Sequence, residues 1–251
     1  LHGVEPDMIL AGNGSDDVLT ILTRAFVGPG DLAAYPTPSY LLYSTLIKLQ
    51  NGREHVVPFD DAWRLDVSGF LEPGVKLAYL ANPNSPSGTA LSPAEVARLA
   101  ERLECPLVVD EAYGDFARED CVSLVKTHPN VIVTRSFSKG YSLAGLRLGY
   151  LIADPSIVHE LNKVKDSYNC DALSLAAGKA ALEDQAYLAE TRAKILATRA
   201  RLADALSELG WSVTDSQANF VWALGGPDAE ATFQELKWRN IFVRLMRYPG
   251  Y

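Results

Sequence analysis

Short apolar runs at 32–35, 75–81, 106–110, 130–134 and 148–153 alternate with stretches whose apolar residues recur at helical spacing. That rhythm predicts strands separated by covering helices, and so an α/β fold of three layers around a mostly parallel sheet. Two helix starts are marked by their residues. Ser15 precedes Asp16, Asp17 and Val18, and in Ser92-Pro93-Ala94-Glu95 a serine caps, proline takes the first turn and Glu95 completes a capping box. At 185–209, Leu188, Ile195, Leu202, Leu206 and Leu209 mark one long helix, which Gly210 ends. A boundary is expected before it. This gives a large domain over 1–184 and part of a smaller C-terminal α/β domain over 185–251, with strands at 211–213, 219–223 and 241–243 and a helix near 229–239. No internal repeat or low-complexity segment interrupts the pattern.

Composition narrows the class of partner. The chain has 251 residues, 48% of them hydrophobic, enough to bury a large core. Its formal charge of -8 is spread without an acidic tail or basic stripe, so neither nucleic acid nor a membrane surface is an expected partner. No apolar run is long enough to span a bilayer. Cys105, Cys121 and Cys170 are odd in number and far apart, which argues against a disulfide framework and fits a reducing cytoplasm. His2, His55, His128 and His159 are scattered without metal-ligand spacing, so no metal is expected. Leu1 opens neither a signal peptide nor an ordinary start, and Tyr248-Pro249-Gly250-Tyr251 follows directly on an apolar run; further chain is expected at both ends.

Candidate chemistry sits where strands are expected to end, the edge at which open α/β sheets keep their ligands. Thr134-Arg135-Ser136-Phe137-Ser138-Lys139-Gly140 is followed by Arg147 eight residues beyond the lysine. A lysine held without a strong counterion suits Schiff-base chemistry with an aldehyde, while Ser136, Ser138 and the two-pronged guanidinium of Arg147 suit a phosphate monoester. By itself, Ser-x-Ser-Lys is more often a solvated loop. In Val108-Val109-Asp110-Glu111-Ala112-Tyr113, Asp110 is placed to hold a pyridine nitrogen protonated and Tyr113 to donate to a ring hydroxyl oxygen, with Glu111 serving structure. An acidic strand end is, on its own, most often a loop residue or a cap.

Ala11-Gly12-Asn13-Gly14-Ser15-Asp16-Asp17 leads into a helix whose first amides face any bound anion, although a plain capped helix start explains the segment equally well. It partly matches a dinucleotide fingerprint, but Asp17 stands at the third glycine position and would repel a pyrophosphate. Asn82-Pro83-Asn84-Ser85-Pro86-Ser87-Gly88-Thr89 offers amides and hydroxyls to a ring hydroxyl, or is simply turn chemistry. Tyr40, in Tyr35-Pro36-Thr37-Pro38-Ser39-Tyr40, is either an aromatic able to stack on a flat ring or ordinary core.

Taken in order, these five segments resemble the fold-type I pyridoxal-phosphate-dependent aminotransferases, and among them the histidinol-phosphate aminotransferase branch. The match runs from about Ile9 to Arg247. The resemblance implies that the phosphate of pyridoxal 5'-phosphate is held by the amides of Gly14, Ser15 and Asp16, by Ser136 and Ser138, and by Arg147. It places Tyr40 against the ring, Asp110 at its nitrogen, Tyr113 at its hydroxyl oxygen and the Schiff base on Lys139, and puts Asn219, in Gln217-Ala218-Asn219-Phe220, near the substrate. Lys139 would then act as the base at the α-carbon of an amino donor, L-histidinol phosphate, with a 2-oxo acid, 2-oxoglutarate, as acceptor. A homodimer is expected from the family.

Two departures stand out. Where the family usually carries an asparagine against the ring hydroxyl, this chain has Ser85, so that contact falls to Ser85, Asn84 or Asn82. The family's N-terminal tyrosine and C-terminal arginine, which complete the substrate clamp, are expected outside this chain. Alternatives within the fold are an aromatic or other amino-acid aminotransferase and a threonine-phosphate decarboxylase-like enzyme. A ligand-sensing domain of a regulator is a third. Ser136-Phe137-Ser138-Lys139 also fits the Ser-x-x-Lys of serine acyltransfer enzymes, but the companion Ser-Asp-Asn and Lys-Thr-Gly motifs are absent.

Overall fold

A computed structural model of the chain describes residues 2–225 and 228–248; Leu1, Pro249, Gly250 and Tyr251, on which the expectations about the chain's ends fell, lie outside the described residues. Strands β1 (Ile9–Gly12), β2 (Leu32–Thr37), β3 (Arg53–Pro58), β4 (Val75–Ala81), β5 (Leu107–Asp110), β6 (Val131–Ser136) and β7 (Gly149–Ile152) form one sheet in the order β1-β7-β6-β5-β4-β2-β3. Strands β3, β2, β4, β5 and β6 run parallel, and β7 is antiparallel to both its neighbours. The three-layer, mostly parallel α/β architecture is therefore the one the sequence pattern predicts.

Alternation along the strands sends successive side chains to opposite layers. Val108, Ile132 and Leu151 pack with helices α1 (Ser15–Phe26), α2 (Leu42–Leu49) and α4 (Pro155–Val164). Val109, Val131 and Val133 pack with α3 (Pro93–Ala100) on the other side. The apolar stripe of α1, Val18, Leu19, Ile21 and Leu22, is buried against the sheet. At the start of α3 the capping box forms, with Ser92 N donating to Glu95 Oε2 at 2.8 Å and Glu95 N to Ser92 Oγ at 3.3 Å.

Several elements differ from expectation. Strand β3 was not foreseen, because it lies at the sheet edge and its polar Arg53, Glu54 and His55 break the apolar run. Ser15 is the first residue of α1 and not its cap; Gly14 occupies the cap position at φ +86. Beyond α5 (Ala172–Glu183), the long helix α6 (Gln185–Glu208) has the expected extent, yet none of its residues is buried among the described residues, so its apolar stripe covers no interior in this chain. It ends as predicted at Gly210: Trp211 N donates to Leu206 O at 3.0 Å and Gly210 N to Ser207 O at 2.9 Å, with Gly210 at φ +87.

Beyond α6, among the described residues, lie the pair β8 (Ser212–Val213) and β9 (Ala223–Leu224), the latter only touching the end of the strand expected at 219–223, and helix α7 (Ala229–Trp238). No strand forms at 241–243, where Phe242 is 78% exposed and no described strand offers its backbone a partner. Segment 214–218 leans on the turn after β4. Thr214 Oγ1 donates to Ser87 O at 2.6 Å, Gln217 N to Gly88 O at 2.7 Å, and Arg118 grips Asp215 through both terminal nitrogens at 2.7 and 2.6 Å.

Candidate active site

Sheet register brings the scattered motifs to one edge. Asp110, ending β5, is paired with Ala81, ending β4, and lies opposite Thr134 of β6. Ser136, ending β6, pairs with Gly149 of β7, which pairs in turn with Gly12 of β1, just ahead of α1. Gly149 is needed at that crossing, since a β-carbon there would lie 2.4 Å from Ser15 N. The first turn of α1 is thus packed against β7, one strand from Ser136. No side chain caps α1 at Gly14, and the first amides of a helix have no intrahelical acceptor. These amides and the helix dipole favour an anion.

A cavity of about 350 Å³ opens at this edge. Its wall holds Ser15 and Asp16 from α1, Tyr40 before α2, Ser85 after β4, Asp110 and Tyr113 from β5 and the turn behind it, Ser136, Ser138 and Lys139 from β6 and its loop, and Arg147. Ten of the sequence-predicted site residues therefore meet in one space. Gly14, Asn84 and Asn219 are not in its wall. Gly14 lies behind Arg147, whose Nη2 would be 2.6 Å from a β-carbon at that position. Asn84 is buried and fully engaged elsewhere, accepting from Ser39 Oγ at 2.8 Å and donating to Ser87 Oγ at 2.9 Å and Pro38 O at 3.2 Å. Asn82 is likewise tied to both backbone groups of Leu91. Of the three candidates for the ring-hydroxyl contact, only Ser85 reaches the cavity. Asn219 is exposed; its neighbour Phe220 instead supports the site, edge-on to Tyr113 with ring centroids 5.1 Å apart.

Lys139 has no carboxylate within ion-pair distance among the described residues, and its Nζ lies 5.3 Å from the centroid of the Tyr113 ring. Arg147 adopts a left-handed conformation, φ 52 and ψ 56, that turns its side chain back toward Ala144 O at 3.1 Å and toward Asp16, with Nη2 3.6 Å from Oδ2. Asp16 also accepts from the Tyr40 hydroxyl at 3.0 Å, which holds that ring on the cavity wall. Asp110 is 5% exposed, and burial pushes its carboxyl above the usual carboxylate range. Three donors oppose that shift: the Tyr43 hydroxyl at 2.7 Å, Thr134 Oγ1 at 3.0 Å and Ala112 N at 3.2 Å. Behind the site Glu111 serves structure, its carboxylate 2.8 Å from Arg135 Nη1.

Sequence reasoning missed Tyr43, Arg244, Met246 and Tyr248. Tyr43 stands one helical turn after Tyr40, and that spacing was the available signal. The other three line the cavity from the coil after α7, so a further cation, Arg244, is present although the substrate-binding arginine was expected outside this chain. The arrangement sets an amine, a buried carboxylate, an aromatic ring, two serine hydroxyls and a guanidinium around one space of the size usual for a small-molecule site.

A fold of this kind with such a site defines a class, and the sequence profile described as aminotransferase class I and II matches residues 1–251. The chain belongs to that family. Among its relatives, histidinol-phosphate aminotransferase of Rhodopirellula baltica is 50% identical over 98% of this chain and 68% of its own length. Histidinol-phosphate aminotransferase 1 of a Nostoc species is 43% identical over 100% of this chain and 71% of its own. The crystal structure of histidinol-phosphate aminotransferase from Sinorhizobium meliloti, in complex with pyridoxal-5'-phosphate, superposes with a TM-score of 0.90 at 32% identity, covering 98% of this chain and 71% of that one.

Proposed function

We propose that this chain is a pyridoxal-phosphate-dependent aminotransferase that takes the amino group of L-histidinol phosphate and passes it to a 2-oxo acid, 2-oxoglutarate. The observation that carries this reading is the meeting of Lys139, free of any carboxylate partner among the described residues, with Asp110 and Arg147 in one cavity. The activity printed for its relatives supports the choice of amino donor.

The residues fit the cofactor end to end. Arg147, Ser136, Ser138 and the open amides of α1 suit a phosphate, and Tyr40 offers a ring face. Asp110 is positioned to hold a ring nitrogen in its cationic form, and Ser85 and Tyr113 can reach a ring hydroxyl. When bound, pyridoxal phosphate supplies an aldehyde that condenses with amines and a ring that accepts the electrons of the substrate α-carbon. Lys139 Nζ would act as the base that takes the proton from that carbon. Asp110 would keep its negative charge at the ring nitrogen, which favours the ring's cationic form. Arg244, which also lines the cavity, suits the substrate's phosphate or the acceptor's carboxylate.

Support for a homodimer comes from Tyr168 and Leu173, apolar side chains 97% and 81% exposed beside the start of α5, which call for cover. An active monomer in sedimentation equilibrium would refute it. The three free cysteines support a reducing compartment such as the cytoplasm. Among the described residues no helix is long and apolar enough to cross a membrane.

The test uses full-length protein with pyridoxal phosphate. Borohydride should fix the cofactor covalently to the wild type and not to Lys139→Ala, and histidinol phosphate should outcompete aromatic amino acids as donor to 2-oxoglutarate. An adduct that survives the substitution, or the absence of amino transfer, overturns the reading.

A further inference from the structure

Tyr43 is fully buried, and it touches both residues that the cavity offers to a ring. Its hydroxyl donates to Asp110 Oδ2 at 2.7 Å, and its ring meets Tyr40 edge-on at 89° with centroids 5.7 Å apart. From below, Tyr79 stacks on it at 4.7 Å and 8°, and the Tyr79 hydroxyl is anchored at 2.6 Å to Thr23 of α1, whose Oγ1 donates in turn to Leu19 O. The Tyr43 ring is therefore fixed on two sides, and among the described residues its hydroxyl has one partner, the carboxylate.

We infer that Tyr43 is a positioning residue for Asp110: its hydroxyl holds the carboxylate ionised and fixes its orientation toward the cavity, while its ring edge sets the plane of Tyr40. Because the ring of Tyr43 is locked by Tyr79, its O–H is preorganised and Asp110 keeps one geometry without a ligand. Thr134 Oγ1 and Ala112 N hold the other oxygen, Oδ1, so Tyr43 is the donor that determines the state of Oδ2. Among the described residues, the other charged or titratable groups near Asp110 are Asp16 of α1, Tyr40 and Tyr79 of β4, and those that line the same cavity, Tyr113, Lys139, Arg147, Arg244 and Tyr248. The consequence for cofactor binding rests on the reading of this cavity given above; the effect on Asp110 itself does not.

Tyr43→Phe removes the donor and keeps the ring contacts. In full-length protein without cofactor, the infrared band of the Asp110 carboxyl, identified by its loss in Asp110→Asn, should titrate at a higher pH in Tyr43→Phe than in wild type. An unchanged midpoint overturns the inference. With pyridoxal phosphate added, the dissociation constant should rise roughly tenfold, the loss of one hydrogen bond to a charged group. Equal affinity in the two proteins also overturns it, whereas failure of the wild type to bind the cofactor sinks the functional reading and leaves the infrared titration to decide this one. Should Tyr43→Phe fold poorly, the unaltered protein still decides: the hydroxyl proton resonance of Tyr43 must move with the midpoint of the Asp110 carboxyl, and independence of the two overturns the assignment.

Discussion

Gly14 leaves open the space that the guanidinium of Arg147 fills: a β-carbon there would sit 2.6 Å from Nη2. Gly14 also stands at φ +86 and ψ 164, a conformation nearly confined to glycine. Gly14→Ala should therefore displace Arg147 and cost about 1–3 kcal/mol of stability. Arg147→Ala should weaken cofactor retention about tenfold or more while changing stability little, since the side chain is half exposed. Fluorescence titration with pyridoxal phosphate and urea unfolding separate the two effects. If Arg147→Ala holds the cofactor as firmly as wild type, the phosphate lies elsewhere.

Gly149 meets backbone, which cannot swing aside as a side chain can. A β-carbon at 149 would lie 2.4 Å from Ser15 N and 2.7 Å from Gly14 C. Gly149→Ala should lower stability by about 1–3 kcal/mol through overpacking and move the first turn of α1 off the sheet. Slower hydrogen exchange than in wild type at Val18, whose amide donates to Gly14 O, would contradict this; faster exchange is expected.

Arg135 is buried between Glu111, at 2.8 Å, and Asp115, at 3.2 Å. Glu111 also accepts from Cys121 N at 2.5 Å, tying the turn after β5 to the segment at 121. Arg135→Met would leave a carboxylate whose side chain is 1% exposed without its cation, at a cost of about 3–5 kcal/mol. Chemical denaturation measures this directly. A loss below about 1 kcal/mol would contradict this, and show that the pair contributes little.

His2 is held uncharged in the fold, lowered to about 4 by burial first and then by the charge of Arg135, with Nε2 2.7 Å from the Tyr150 hydroxyl. The unfolded chain protonates it near pH 6.5. Its contribution to stability is thus intact above about pH 6.5, declines as the pH falls toward 4, and levels off below that. Replacing His2 by Gln should flatten this part of the stability profile, read as urea midpoints over that range. Parallel profiles for the two proteins would show that His2 has no part in the acid sensitivity.

Much of the site was legible because each motif carries local chemistry. Lys139, Asp110, Tyr113, Arg147, Ser136 and Ser138 are placed by strand ends, and strand ends can be read from where apolar runs stop. The capping box at Ser92 and Glu95 and the glycine stop at Gly210 are likewise set by a few neighbouring residues. Strand β3 escaped because an edge strand need not be apolar on either face. The strand expected at 241–243 fails for the complementary reason, since apolar residues make a strand only when another backbone accepts their hydrogen bonds.

Sequence alone determined the kind of sheet, the order of the motifs along it and the residue types able to hold a phosphate, a ring and an amine. Tertiary structure decided which of them share one space. It turned Asn82 and Asn84 inward to brace loops and left Ser85 facing the cavity, brought Arg244 to the wall from more than a hundred residues away, and set Tyr43 beneath Asp110. Periodicity and capping act over a few residues and so are written in the local sequence. Contacts such as these depend on sheet register and helix packing, which are fixed only when distant segments bury their surfaces together.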